Sequence, residues 1–325
     1  MSEERPATAS DGGTATASGT RPVAEADGGT ATESGLGAGF DAGLASYRRR
    51  QRVWDALESP YVVHLVLFLA VFFIVAPLVW ELLTSLKTNA AVYNLTYLPR
   101  DPTLASYYDA LIDRGFWRAV VNSVIIASVS TAVVMALGTP AGYVFSRYRF
   151  PYDNAVFTFV LFTRLFPPIG LVVPYYRIMS EGGLLNTRLG IVVANVYLWL
   201  PLVVYVMRNF FITIPKELDE AARIDGCTKL QAFRHVVFPA VLPGFAAGTI
   251  LTFLYSWREF LFAFTVSTNL SSMTIPVATF LFVGDTSIQW ASMAAAAVVA
   301  TIPSAFVVFF FQRYIVVGLT GGLKG

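Results

Sequence analysis

A short charged segment, 215–239, interrupts the apolar part of the chain and carries residue types suited to ionic contacts. Lys216 and Glu220 stand four residues apart, and so do Asp219 and Arg223. Because residues at this spacing share one face of a helix, each pair can form an ion pair there. The segment therefore predicts a short, charged helix at the surface of the protein.

Capping and turn residues divide this segment into two helices. Pro215 fits a first helical turn, where its missing N–H costs nothing. Gly226 suits the left-handed position that ends a helix, and Thr228 with Gln231 matches a capping box that opens a second one. A small apolar face on the first helix consists of Leu218, Ala221 and Ala222. The sequence thus predicts a compact helical knob that can dock into a cleft.

Three further charged residues, Arg164, Arg258 and Glu259, lie inside long apolar segments. A charged side chain at the centre of a bilayer costs about 2.5–3.5 kcal/mol on insertion scales, so each needs a partner or a water-filled path. One interpretation is an ion-pair network between Glu259 and one or both arginines. The other is that an arginine lines a translocation path and favours a polyhydroxylated or anionic cargo.

Residue sets for enzyme chemistry do not accompany these charges. A phosphate loop of the Gly-x-x-x-x-Gly-Lys-[Ser/Thr] type is missing, so we expect neither ATP hydrolysis nor a cofactor in this chain. Cys227 is the only cysteine, which argues against disulfides, and His64 and His235 are not part of any Cys-based ligand set, which argues against a metal site. The net charge of +2 predicts no nucleic-acid partner.

The elements that must position these residues are membrane helices. The chain is 55% apolar and 14% charged, whereas a typical soluble domain is about one quarter charged. A membrane helix needs roughly 20 mostly apolar residues. Six segments qualify: 61–83, 120–146, 154–177, 188–211, 243–266 and 293–313. The sequence therefore predicts an all-α membrane protein with six transmembrane helices.

Composition and charge placement divide the chain and orient it. Residues 1–46 are rich in Gly, Ala, Ser, Thr and acids, which predicts disorder. A basic cluster before the first span is a topology anchor or a lipid-headgroup site. Most other Lys and Arg residues fall on the same side of the membrane as this cluster, which predicts that both termini are cytoplasmic. The predicted divisions are a tail with its anchor at 1–52, a first helix and outer loop at 53–117, a five-helix domain at 118–313 with a cytoplasmic loop at 212–240, and a cytoplasmic tail at 314–325.

The loop residues resemble a known motif. The EAA motif of ABC importer permeases reads Glu-Ala-Ala, three residues, Gly, nine residues, Ile, one residue, then Leu-Pro. At that spacing this chain has Glu220-Ala221-Ala222, Gly226, Val236, Phe238 and Pro239. The two departures, Val for Ile and Phe for Leu, are exchanges between apolar residues.

Other stretches resemble the carbohydrate-uptake branch of these permeases. Asn122-Ser123 looks like the entry to the family's shared domain, and 141–151 is similar to a stretch of sugar permeases. The C-terminal 318–325 resembles the tail of the maltose-type second permease subunit. The resemblance covers about 60–325 and implies a type I ABC importer permease fold with a cytoplasmic coupling helix.

The resemblance implies an ATP-driven sugar importer of several chains in the cell membrane. Such a permease pairs with a second, usually different, permease and receives its cargo from an extracytoplasmic sugar-binding protein. Two ATP-binding subunits hold the ATP and magnesium. The residues implied to contact them in the coupling loop are Glu220, Ala221, Ala222, Gly226 and Pro239. Those implied in the tail are Gly318, Thr320, Gly322 and Lys324.

Two other classes of protein stay open at this point. A self-contained carrier or channel needs no docking helix and works without ATP. An intramembrane enzyme or assembly factor needs catalytic polar groups, which the sequence lacks. Cargo identity is open among oligosaccharides, monosaccharides and glycerol phosphate, since the binding protein and the partner permease largely determine it.

Overall fold

The computed structural model describes residues 59–94, 96–284 and 287–320, with side chains as far as Gln312. The chain divides into two compact units, Met1–Phe72 and Phe73–Gly325. The described residues of the first unit belong to the start of one helix. The predicted tail and basic anchor at 1–52 lie outside the described residues.

Helices dominate the described chain. The principal ones are α1 (Pro60–Ser85), α2 (Phe116–Arg147), α3 (Asp153–Phe162), α4 (Pro168–Glu181), α5 (Arg188–Thr213), α6 (Glu217–Ile224), α7 (Phe238–Trp257), α8 (Leu261–Val266) and α9 (Trp290–Thr320). Short helical turns lie at Asn89–Val92, Ala105–Tyr108, Asp109–Asp113, Thr163–Leu165, Lys229–Ala232, Phe233–Val237, Ile275–Ala278 and Thr279–Phe282. Within the described ranges, five helices are long and apolar enough to cross a membrane, or six if the bent pair α3–α4 counts as one span.

The third predicted span, 154–177, is a broken helix. Helices α3 and α4 meet at an angle of 93°. Phe166 and Pro167 are extended, and Pro168 opens α4. Proline lacks the backbone donor and disfavours a helical residue before it, so two consecutive prolines stop α3 and start α4 afresh.

The fifth and sixth predicted spans also differ from the structure. Helix α7 ends at Trp257, so the predicted span 243–266 divides into α7 and the short α8. Helix α9 continues to Thr320, past the predicted boundary at residue 313. The apolar run in that region, Tyr314–Leu319, contains no residue that stops a helix before Gly318.

Helix α2 is central to the second unit, because α5 and α7 both pack against it, and α9 packs against α7. Gly142 permits the approach of α2 to α5, since a Cβ there would lie 2.8 Å from the backbone nitrogen of Arg208. Small residues allow such close helix crossings in membranes. The packing places the end of α2 beside the loop between α5 and α7.

Candidate functional site

Helix α6 forms the core of the charged loop, and its ends agree with the sequence. Acidic residues fill its first turn and Arg223 lies in its last, which complements the helix dipole. Gly226 follows with a φ of 88°, the left-handed conformation predicted for it. Thr228 and Gln231 form the predicted capping box, which opens the turn Lys229–Ala232. The loop is therefore a helix, a sharp turn and a second short helix.

The ion pairs in this loop differ from those predicted. Asp219 pairs with Arg147 at the end of α2, with 2.7 Å between Nε and Oδ2, and their side chains are only 16% and 6% exposed. Tyr143 donates a hydrogen bond of 2.8 Å to the other carboxylate oxygen of Asp219. Within the described residues neither predicted pair, Lys216 with Glu220 or Asp219 with Arg223, forms. Asp219 thus links α6 to α2 and does not pair with a residue of its own helix.

An aromatic cluster packs around Tyr143, beside this contact. The ring of Tyr143 lies 4.7 Å from that of Phe233 and 5.3 Å from that of Phe211, between centroids. Tyr148 contacts Tyr143 as well, and the Lys229 ammonium lies 5.3 Å from the Tyr148 ring centroid. One packed cluster therefore joins α2 and α5 with the turns Lys229–Ala232 and Phe233–Val237, beside the Asp219 site.

The predicted docking residues separate into an outer and an inner set. Glu220, Ala221, Gly226 and Pro239 are exposed, whereas Ala222 is buried against the bundle. The small apolar face predicted from Leu218, Ala221 and Ala222 is therefore split between the two sides of α6. Ile224 and Leu230 are 87% and 73% exposed, so the outward side of the loop is apolar as well as charged.

The predicted ion-pair network of Glu259 is wrong. Glu259 is buried, and its two oxygens accept hydrogen bonds from the backbone amides of Phe262 (2.8 Å) and Ala263 (3.0 Å). These amides open α8 and have no partner inside that helix, so the carboxylate caps it. Among the described residues neither Arg164 nor Arg258 forms an ion pair.

Both arginines instead lie over one pair of stacked aromatic rings. The Cζ of Arg164 is 5.2 Å from the centroid of Trp199, and that of Arg258 is 4.7 Å from the centroid of Tyr255. The rings of Trp199 and Tyr255 stack at 4.4 Å with an interplanar angle of 11°. These four residues are called the Arg–aromatic row.

Helix breaks place the arginines of this row. Arg164 lies in the turn Thr163–Leu165 between α3 and α4, and Arg258 follows the last residue of α7. Sequence reasoning found the two arginines but missed Trp199 and Tyr255. Trp199 lies 35 positions from Arg164, and Tyr255 lies three positions from Arg258. Only the second spacing could have suggested a helical neighbour.

The predicted tail residues are described only in part. Gly318 and Thr320 lie in the last turn of α9, beyond the described side chains, and Gly322 and Lys324 are outside the described residues.

Comparison with known proteins identifies the family. Residues 135–320 match the family described as binding-protein-dependent transport system inner membrane component. A sulfoquinovosyl glycerol transport system permease protein, SmoH of Agrobacterium fabrum, is 36% identical over 252 residues, which is 77% of this chain and 88% of the relative. The trehalose transport system permease protein SugB of Mycobacterium tuberculosis is 34% identical over 280 residues, 85% of this chain and 99% of the relative.

A solved structure agrees on the fold. A chain of the bacterial ABC transporter that imports the acidic polysaccharide alginate superposes with a TM-score of 0.70 at 22% identity, covering 82% of this chain and 98% of that chain. The predicted all-α fold of an ABC importer permease is confirmed. With its family match and its apolar helices, the chain is a multi-pass membrane protein that belongs to the binding-protein-dependent transport system inner membrane components, the permease subunits of ABC importers.

Proposed function

We propose that this permease carries a sugar or oligosaccharide into the cell. The relatives described above carry names that specify sulfoquinovosyl glycerol and trehalose. A glycoside of one to a few sugar units is the cargo class that these names share.

The proposed assembly has several chains. A second permease completes the path, an extracytoplasmic binding protein delivers the sugar, and two ATP-binding subunits hold ATP and magnesium and hydrolyse the nucleotide. Both termini face the cytoplasm, because most Lys and Arg residues between spans then lie inside. The C-terminal segment 318–325 provides a second contact to the ATP-binding subunits, in addition to the loop that contains α6.

The coupling step uses the two sides of α6. Its outer residues Glu220 and Ala221, with Gly226 after the helix, seat in a cleft of the ATP-binding subunit. Its inner residue Asp219 holds α2 through Arg147. Pulling the two charges apart would leave both poorly solvated, so α2 follows α6 when the ATP-binding subunits close. The buried pair between α6 and α2 is the observation that carries this proposal.

Reconstitution into liposomes tests the function. The complex is purified through a tag on this chain, its subunits are identified by mass spectrometry, and uptake of labelled trehalose and other glycosides is measured with and without ATP and binding protein. We expect uptake that requires both. Recovery of this chain alone, with uptake that needs no ATP, would establish the carrier function instead.

A substitution on the outer side of α6 tests the docking. Glu220→Ala is expected to release the ATP-binding subunits during purification and to lower uptake at least about tenfold, because an ion pair at a docking interface is lost. Asp225→Ala, which removes an exposed acid just after α6, is the matched control. Equal retention of the ATP-binding subunits by both variants would contradict docking through Glu220.

A further inference from the structure

We propose that the Arg–aromatic row is a contact site for an anionic sugar on its way through the membrane, an inference that rests on the proposed function. The arginines are the contacting residues, and Trp199 and Tyr255 position them. The cargo class is a glycoside that bears a carboxylate or sulfonate.

The row lies at mid-depth of the membrane. Trp199 is 11 residues after the start of α5 at Arg188 and 14 before its end at Thr213. At about 1.5 Å of rise per residue, it is roughly 16 Å from one end and 21 Å from the other. Tyr255 stacks directly on Trp199, so the two guanidiniums that cover these rings lie close to the same depth.

The positive charges of the row are not neutralised within the described residues. Glu259, although adjacent to Arg258 in sequence, faces the amides of α8. Both arginines are exposed on this chain. Since a bare cation against lipid tails is costly, this surface faces protein or a water-filled route. A site that keeps two free guanidiniums at mid-depth suits a passing anion.

The aromatic pair fixes the guanidiniums without occupying their donors. A guanidinium over a ring is held by cation–π attraction through its face, which leaves the N–H groups at its edge free. Neither arginine side chain donates a hydrogen bond among the described residues, and Trp199 is itself held by a bond of 3.3 Å from its Nε1 to Asn195. The planar fork of free donors matches a carboxylate or sulfonate and also binds sugar hydroxyls.

A binding experiment on the intact membrane complex tests the site. The complex of the two permeases and two ATP-binding subunits, without binding protein, is titrated with cellobiouronic acid and with its neutral parent, cellobiose. We expect the anionic disaccharide to bind at least about tenfold more tightly, because a hydrogen bond to a charged group is worth about that factor. Each of Arg164→Gln and Arg258→Gln should remove most of this preference, and Arg164→Lys and Arg258→Lys should retain part of it.

One matched control and three possible outcomes test the site. Arg118→Gln removes an exposed arginine that also lies over a ring, that of Trp117, but at the start of α2. It should leave the preference unchanged. Equal affinity of the wild-type complex for both disaccharides, or an unchanged preference in both glutamine variants, overturns the site. Loss of the partner permease from the glutamine variants overturns it too, since the arginines would then serve subunit assembly.

The same preparation separates this inference from the proposed function. ATP-driven uptake of neutral sugar by the wild-type complex supports the proposed function whether or not the anionic preference exists. A complex that takes up no glycoside with ATP contradicts the proposed function itself, independently of the two arginines.

Discussion

Replacing Asp219 by alanine is expected to loosen α6 from α2 by about 2–3 kcal/mol. Removing one partner of a buried ion pair costs about 3–5 kcal/mol, because the other charge stays desolvated. Here the side chains of Arg147 and Asp219 keep 6% and 16% exposure, so the pair is buried but not fully desolvated, and the cost falls below that range. The lost hydrogen bond from Tyr143, worth about 1 kcal/mol, is part of the expected loss.

Hydrogen exchange of the purified complex measures this change directly. Amides within 217–224 exchange when α6 opens locally, at a rate set by the free energy of opening. A loss of about 2–3 kcal/mol predicts exchange roughly 30- to 150-fold faster in that segment. Because α2 would no longer follow α6, sugar uptake per ATP hydrolysed should fall in the same variant.

A double-mutant cycle assigns the effect to the pair. Arg147→Ala and the double variant are measured beside Asp219→Ala, and a coupling energy of at least about 1 kcal/mol is expected. Asp153→Asn is the matched control, because it breaks the ion pair to Arg149, whose side chain is 78% exposed, and should change stability by under about 1 kcal/mol. Exchange within about threefold of wild type, or single effects that simply add, would refute the role assigned to Asp219.

Two further predictions concern the positions of helices. Glu259→Ala should lower the free energy of unfolding by about 1–2 kcal/mol, because two buried amides of α8 lose their acceptor, and the complex should melt at a lower temperature. Glu259→Gln keeps one oxygen and should lose less stability. Equal melting temperatures of wild type and Glu259→Ala would contradict the cap. Gly142→Ala should lower the free energy of unfolding by about 1–3 kcal/mol and reduce the recovery of folded protein, since the new Cβ would meet the α5 backbone at 2.8 Å. Gly170→Ala is the control, because the nearest atom to its new Cβ would be 3.9 Å away. Equal recovery of the two variants would refute the close crossing of α2 and α5.

Local patterns were the most predictable part of the site. The turn at Gly226 and the capping box of Thr228 depend on residues within four positions, and the structure forms both. The Asp219 pair was mispredicted for the same reason. Spacing of three or four proposes only partners on the same helix, whereas Arg147 is 72 residues away.

Helix breaks account for the other differences. The apolar runs predicted continuous spans, but two prolines divide one of them and α7 stops at Trp257. One interpretation of the sequence placed Glu259 in an ion pair, because a carboxylate inside a span needs a partner. Helix α8, which begins inside the predicted span 243–266, supplies backbone amides in place of a cation, and hydropathy cannot detect such a start.

The 93° bend between α3 and α4 affects how this chain enters the membrane during synthesis. A broken span leaves backbone groups without helical partners, and lipid cannot bind them. One of them, the carbonyl of Thr163, accepts a hydrogen bond from Tyr197 on α5. Because α5 is synthesised later, we expect the α3–α4 segment to insert poorly by itself and to settle only when α5 joins it, so that the two leave the translocation machinery as a pair.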